Sequence, residues 1–192
     1  MTTFLRRQLR PAITLLIALT VITGFAYPAA ILAVAQVVFP SQANGSLIVV
    51  DGKTVGSSLI GQAFDQPTYF WGRPSAAGKG NDASSSGASN LGPTSQALID
   101  RITQQVDQLR AANGNAPIPV DLVTTSASGL DPDISPAAAE YQVGRVAAAR
   151  GMSVDAVRQA VARHTTQPFL GFIGEARVNV LALNLDLDGL LR

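Results

Sequence analysis

From Pro11 to Val50 the chain carries no charged residue. Within that run, residues 12–39 read AITLLIALTVITGFAYPAAILAVAQVVF, interrupted in polarity only by Thr14, Thr20, Thr23 and Gln36. As a helix this stretch rises about 42 Å, more than the roughly 30 Å hydrocarbon core of a bilayer demands. Threonine hydroxyls bond back to a preceding carbonyl, so they cost little in lipid, and Pro28 is expected to kink the helix locally. Ala33-Val34-Ala35 offers a small-x-small cleavage site, but a signal-peptide core spans about 7–15 residues, far fewer than this run. A retained anchor is therefore expected. Arg6, Arg7 and Arg10 precede the span, and the next charge is Asp51. By the positive-inside rule this predicts a cytoplasmic basic head over residues 1–11, a transmembrane helix over 12–39 and an extracytoplasmic domain over 40–192.

Charged residues make up 14% of the sequence, against the quarter usual in soluble domains. Setting aside the three leading arginines leaves 11 of the 14 Lys+Arg against 13 Asp+Glu, so the predicted domain is slightly acidic. Phosphate backbones require clustered Lys and Arg, and no nucleic-acid partner is expected. With no cysteine and one histidine, Cys-based and His-rich metal sites are excluded.

The domain reads as α+β. Asp51-Gly52 between short apolar runs signals a hairpin within residues 46–60. Tyr69-Phe70-Trp71 is an aromatic cluster closed by Gly72-Arg73-Pro74, and residues 75–95 have the Ser, Gly and Asn content of a long irregular loop. A helix from Pro93-Thr94 to about Ala112 places Leu98, Ile102, Val106 and Leu109 on one stripe, with Asn113-Gly114 as its stop. Residues 118–123 are expected to be extended, and Ser128 to Asp133 to turn. Ser135 with Pro136 opens a helix that Arg150-Gly151 closes, and Ser153 caps another reaching His164. Arg177 to Leu187 alternates in the manner of a strand.

Catalytic constellations are sparse. The lone His164 falls at a helix end, where a cation suits the dipole. Neither a G-x-S-x-G elbow nor a P-loop occurs. Asp131 and Asp133 fit turn chemistry, Asp186 and Asp188 solvated strand faces, and calcium would need more converging oxygens. No catalytic residue and no metal ligand is expected. Aromatics and arginine are enriched at interface hot spots, which makes Tyr69, Phe70, Trp71 and Arg73 the expected partner-contact residues, the alternative being that the aromatics are core.

Taken in order, GSLIV, IGQAF (60–64), YFWGRPSAAG (69–78), GASNLGPTS (87–95), VTTSASGLDPDISPAAAEYQVGRVAAARG (123–151) and GEARVNVLALNLDLD (174–188) come after a short basic head and one span. This series resembles the small C subunit of the Kdp potassium-transporting P-type ATPase of bacteria, over nearly the whole chain. The resemblance implies a four-subunit complex in the inner membrane, comprising a channel-like potassium-binding subunit, a P-type subunit hydrolysing ATP, a small fourth subunit and this chain. It further implies a non-catalytic accessory subunit of high-affinity potassium uptake, described as a catalytic chaperone that raises the ATP affinity of the ATPase subunit. In the family's Q-x-x-R-V segment a glutamine is proposed to touch ATP; it matches Gln142. Consistent with hydrolysis in another chain, no DKTGT-type motif occurs here. The alternatives weighed are an N-terminally anchored extracytoplasmic enzyme and a pilin-like structural subunit. The first lacks its constellations, and the second usually carries a glutamate early in the apolar run, whereas the first glutamate here is Glu140.

Overall fold

The computed structural model describes residues 2–190; Met1 of the predicted basic head and Leu191-Arg192 at the end of the predicted domain lie outside them. Two compact units divide between Leu47 and Ile48.

The first unit is helical. Helix α1 (Thr2–Val21) passes through a widened turn at Ile22–Ala26 into α2 (Tyr27–Val38), and a single turn, α3 (Pro40–Ala43), comes next. Arg7–Val38 forms 32 continuous residues, long and apolar enough to cross a membrane, with no side chain buried by protein. Pro28 explains the widened turn. It has no N–H to give the carbonyl four residues back, and the helix accommodates the gap by bonding Tyr27 N–H to the Ile22 carbonyl. Thr23 Oγ1 donates to the Leu19 carbonyl at 2.7 Å, which satisfies its hydroxyl without water.

The second unit is α+β. Strands β1 (Leu47–Val50) and β2 (Lys53–Ser57) form the expected hairpin, with Asp51 and Gly52 at φ 49° and 75°. Helix α4 (Gln96–Asn113) starts two residues later than predicted and turns Leu98, Ile102, Val106 and Leu109 inward, Leu109 most deeply. Helix α5 (Pro136–Arg150) is capped by Ser135 Oγ on Ala138 N and closed by Gly151 at φ 65°. Helix α6 (Val154–Arg163) is capped by Ser153 in the same way. Three short antiparallel strands, β3 (Asp133–Ile134), β4 (Thr165–Thr166) and β5 (Arg177–Asn179), form a second sheet with β5 central. Register pairs Ile134 and Thr165 with Val178. The core joins Val143, Val146, Val157, Ala160, Val178 and Leu183, with Phe70 and Leu122 inserted from loops.

Two predicted segments differ. Residues 177–187 are strand only as far as Asn179; Val180–Leu187 is a helix, α7. Asn179 accepts from Ala182 N at 3.0 Å and starts the helix, and Val180, Leu181, Leu183, Asn184 and Leu185 are all buried. A segment surrounded by core is apolar on most sides, so its alternation of residue types did not mark two faces. Residues 118–123 are extended only at the start, and Val120–Leu122 forms one 3₁₀ turn that drops Leu122 into the core. The loop over 75–95 is irregular apart from a turn at Ala83–Ser85, and it is pinned rather than loose: Ser75 Oγ donates to the Gly129 carbonyl and accepts from Ala77 and Asn81 amides.

Candidate functional site

The aromatic segment and the Q-x-x-R-V segment, 71 residues apart in sequence from Trp71 to Gln142, meet in the second unit. Residues 67–71 leave a turn closed by Tyr69 N–H on the Gln66 carbonyl and pass by α5 and α7, with no strand beside them. Their backbone is satisfied by side chains instead. Asn184 on α7 brackets Phe70, accepting from its N–H at 2.8 Å and donating to its carbonyl at 3.0 Å. Gln142 on α5 brackets Trp71 in the same way, at 2.8 and 3.1 Å. Arg145 donates to the carbonyls of Pro67 and Tyr69, and Arg150 to that of Thr68. Every carbonyl from Pro67 to Trp71 thus accepts a bond from a helix side chain. Two amide side chains take the place of two neighbouring strands, and unpaired buried peptide groups would be costly.

Gln142 is fully buried and fully engaged. Beyond Trp71, its Nε2 donates to the Ala138 carbonyl at 3.2 Å and its Oε1 accepts from Arg145 Nη2 at 2.7 Å. A carboxamide offers two donors and two lone pairs, and all four are used. Arg145 is held without a carboxylate: its bonds go to Asn113, Pro67, Tyr69 and Gln142, and its guanidinium lies 4.1 Å from the Trp71 ring centroid. Burial lowers its pKa to about 10, which leaves it charged at neutral pH. Five fixed donors suit this set of carbonyls, where a lysine could not fan out.

The remaining predicted contact residues fall around this clamp. Phe70 is 0% exposed and belongs to the core, so it presents no surface. Trp71 is half-buried against the core and donates Nε1–H to the Gln66 carbonyl. The Tyr69 ring sits 5.3 Å from Phe64 and beneath Arg150, and its hydroxyl donates to Asp188 at 3.0 Å, a bond that raises its pKa, with burial and the carboxylate charge acting the same way. Arg73 pairs with Asp131 at 2.8 Å and reaches the Thr124 carbonyl. Tyr69, Trp71 and Arg73 therefore keep partial exposure, while Phe70 and Gln142 do not.

The carboxylates are structural in their contacts. Asp131 Oδ1 accepts from Asp133 N, as turn chemistry predicts. Asp133 bonds Asn179 and pairs with Arg177; burial raises its pKa despite both partners. Asp186 and Asp188 lie on α7 and at its end rather than on a strand face. Asp186 accepts from Arg163 at 2.7 Å and from His164 Nε2 at 3.1 Å, and the Arg163 bond foremost lowers its pKa. Among the described residues no three His, Asp or Glu converge as a metal site.

Sequence reasoning missed Asn184, Arg145 and Arg150, whose roles depend on partners far along the chain. It also passed over Phe169-Leu170-Gly171-Phe172-Ile173, which forms a tight hairpin. Phe169 and Ile173 exchange both backbone hydrogen bonds at 2.9 Å, and their side chains, with those of Leu170 and Phe172, point to solvent. An apolar run centred on glycine and bracketed by Pro168 and Gly174 was the available signal.

Comparison with known proteins gives one consistent result. The family described as "KdpC: K+-transporting ATPase, c chain" matches residues 9–189. A protein of Polaromonas naphthalenivorans named "Potassium-transporting ATPase KdpC subunit" is 59% identical over 189 residues, covering 97% of this chain and 96% of its own. Proteins of the same name from Sorangium cellulosum and Koribacter versatilis are 60% and 54% identical over 185 residues each, covering 95% and 96% of this chain and 97% and 96% of theirs.

Proposed function

The chain belongs to the KdpC family, the c chains of K+-transporting ATPases, and from that premise we propose that it is a single-span accessory subunit of an ATP-driven potassium uptake complex. The observation carrying this is the match over residues 9–189 together with the Arg7–Val38 helix. ATP hydrolysis belongs to another chain of the complex, since this sequence has neither a phosphorylation motif nor a P-loop. The anchor lies in the inner membrane with the arginine-bearing end cytoplasmic and the second unit outside, as the charge asymmetry about the span favours.

This subunit acts through assembly with its partners: a channel-like potassium-binding subunit, a P-type ATPase subunit and a small fourth subunit. Any rise in the ATP affinity of the ATPase subunit is relayed through those contacts. Gln142 serves to hold Trp71 in place; its burial and four filled bonds support that role over contact with nucleotide. The exposed parts of Tyr69, Trp71 and Arg73 form part of the partner-facing surface.

The test is detergent purification through a tag on this chain. Co-elution of a channel-like subunit and a P-type ATPase, with potassium-stimulated ATP hydrolysis that is lost when this chain is deleted, is the expected outcome. Elution alone from cells that express the other subunits would overturn the proposal.

A further inference from the structure

The hairpin over Phe169–Ile173 is costly to build as it stands. Phe169, Leu170, Phe172 and Ile173 are 69%, 69%, 76% and 51% exposed. Together they show water on the order of 500 Å² of largely apolar surface, at the upper end of what a whole monomer usually exposes in one patch. Among the described residues of the second unit, no other five-residue stretch exposes four large apolar side chains. The turn is also strained: Leu170 takes φ 53°, a left-handed conformation rare for a branched apolar residue, beside Gly171 at φ 82°. The Phe169–Ile173 bonds, with Gly171 N–H donating to the Pro168 carbonyl at 3.0 Å, hold that geometry with backbone alone.

Resting on the assembled-subunit reading above, we propose that this tip is a docking knob that seats in an apolar, uncharged pocket on another protein chain of the complex. Two observations favour a protein pocket over lipid. Residues 165–175 contain no Trp, Tyr, Lys or Arg, the residues that fix a loop at a bilayer interface, and their only charge is Glu175. Lipid also requires no particular shape, whereas a bridge-locked tip with a left-handed Leu170 presents its side chains preorganised, which is what lowers the cost of entering a fitted pocket. The uncharged stretch from Thr165 to Gly174 can be buried without desolvating an ion.

The chain has no cysteine, so a single introduced thiol reports its own environment. Full-length Phe172→Cys and, separately, Ile173→Cys are placed in phosphatidylcholine nanodiscs, alone or within the purified complex, and reacted with a charged, water-soluble thiol reagent; Asp155→Cys, on the exposed start of α6, is the control. Fast reaction alone and reaction about tenfold slower in the complex, with the control fast in both, is expected. If a cysteine variant fails to assemble where wild type does, an exposed side chain is needed for assembly, which also supports the knob. Slow reaction already in the lone chain means lipid or a second copy covers the tip, and overturns the proposal. Fast reaction in both states overturns it too. If the wild-type chain itself co-purifies with no partner, the subunit reading has failed, and that outcome is visible before any thiol is measured.

Discussion

Residues 67–71 and residues 169–173 are both short, aromatic and built around a turn, yet one is drawn into the core at Phe70 and the other projects into water. Apolarity does not separate them; the fate of their backbone hydrogen bonds does. In the first, neighbouring strands are missing, and Gln142, Arg145, Arg150 and Asn184 reach in from two helices to take their place. Those side chains draw the segment into the space between α5 and α7, and Phe70 fills it. In the second, Phe169 and Ile173 bond each other. A backbone satisfied within its own turn needs nothing from the core, and its side chains are left free for something outside the chain.

The contrast can be broken at several points, all readable in the full chain through its single tryptophan, Trp71, during denaturant unfolding. Phe70→Ala has the largest expected effect, a loss of about 3–5 kcal/mol from a fully buried ring. A change smaller than about 1 kcal/mol would mean the segment is not anchored by core burial. Next come Gln142→Leu and Asn184→Leu, each stranding a buried N–H and carbonyl, with losses of about 2–3 kcal/mol although both variants are more apolar. Stability equal to wild type would show that the amide clamps are dispensable. Arg145→Met ranks third, at about 1–3 kcal/mol, and it should also shift the Trp71 emission of the folded state, because the cation over its ring is gone.

Asp186→Asn tests whether charges rather than amides hold α7. The Asp186 carboxyl is lowered from its ordinary value of 3.8, so its stabilisation is present above about pH 4 and disappears as pH falls through the lowered value. The variant should lose about 0.5–1 kcal/mol at neutral pH and converge with wild type in acid. A loss rivalling that of Asn184→Leu would break the comparison. The smallest effect on folding is expected at the other pole: Phe172→Asp should leave unfolding within about 0.5 kcal/mol of wild type while co-purification with partners falls.

Much of this was legible in the residues themselves. The uncharged run ending at Val50 marked a helix long and apolar enough to cross a membrane, Asp51-Gly52 the hairpin, and Ser135-Pro136, Gly151 and Ser153 the ends of α5 and α6. Each of these is a local device, in which a residue bonds or bends the backbone within about four positions of itself. The order of motifs also carried the family, since the quoted segments run in sequence whatever their spatial arrangement.

What the sequence could not settle was which distant residue completes which bond. Gln142 and Trp71 stand 71 positions apart and Asn184 and Phe70 stand 114 apart. Nothing local distinguishes an amide that faces solvent from one that stands in for a strand. The same holds for Val180–Leu187, which alternates like a strand and became a helix because core packs around it. Sequence determined the long apolar helix and the turns because helix propensity, apolarity and backbone dihedrals act on neighbours. Tertiary structure alone decided that Phe70 points in and Phe172 points out, because burial depends on who arrives from far along the chain to satisfy the peptide groups.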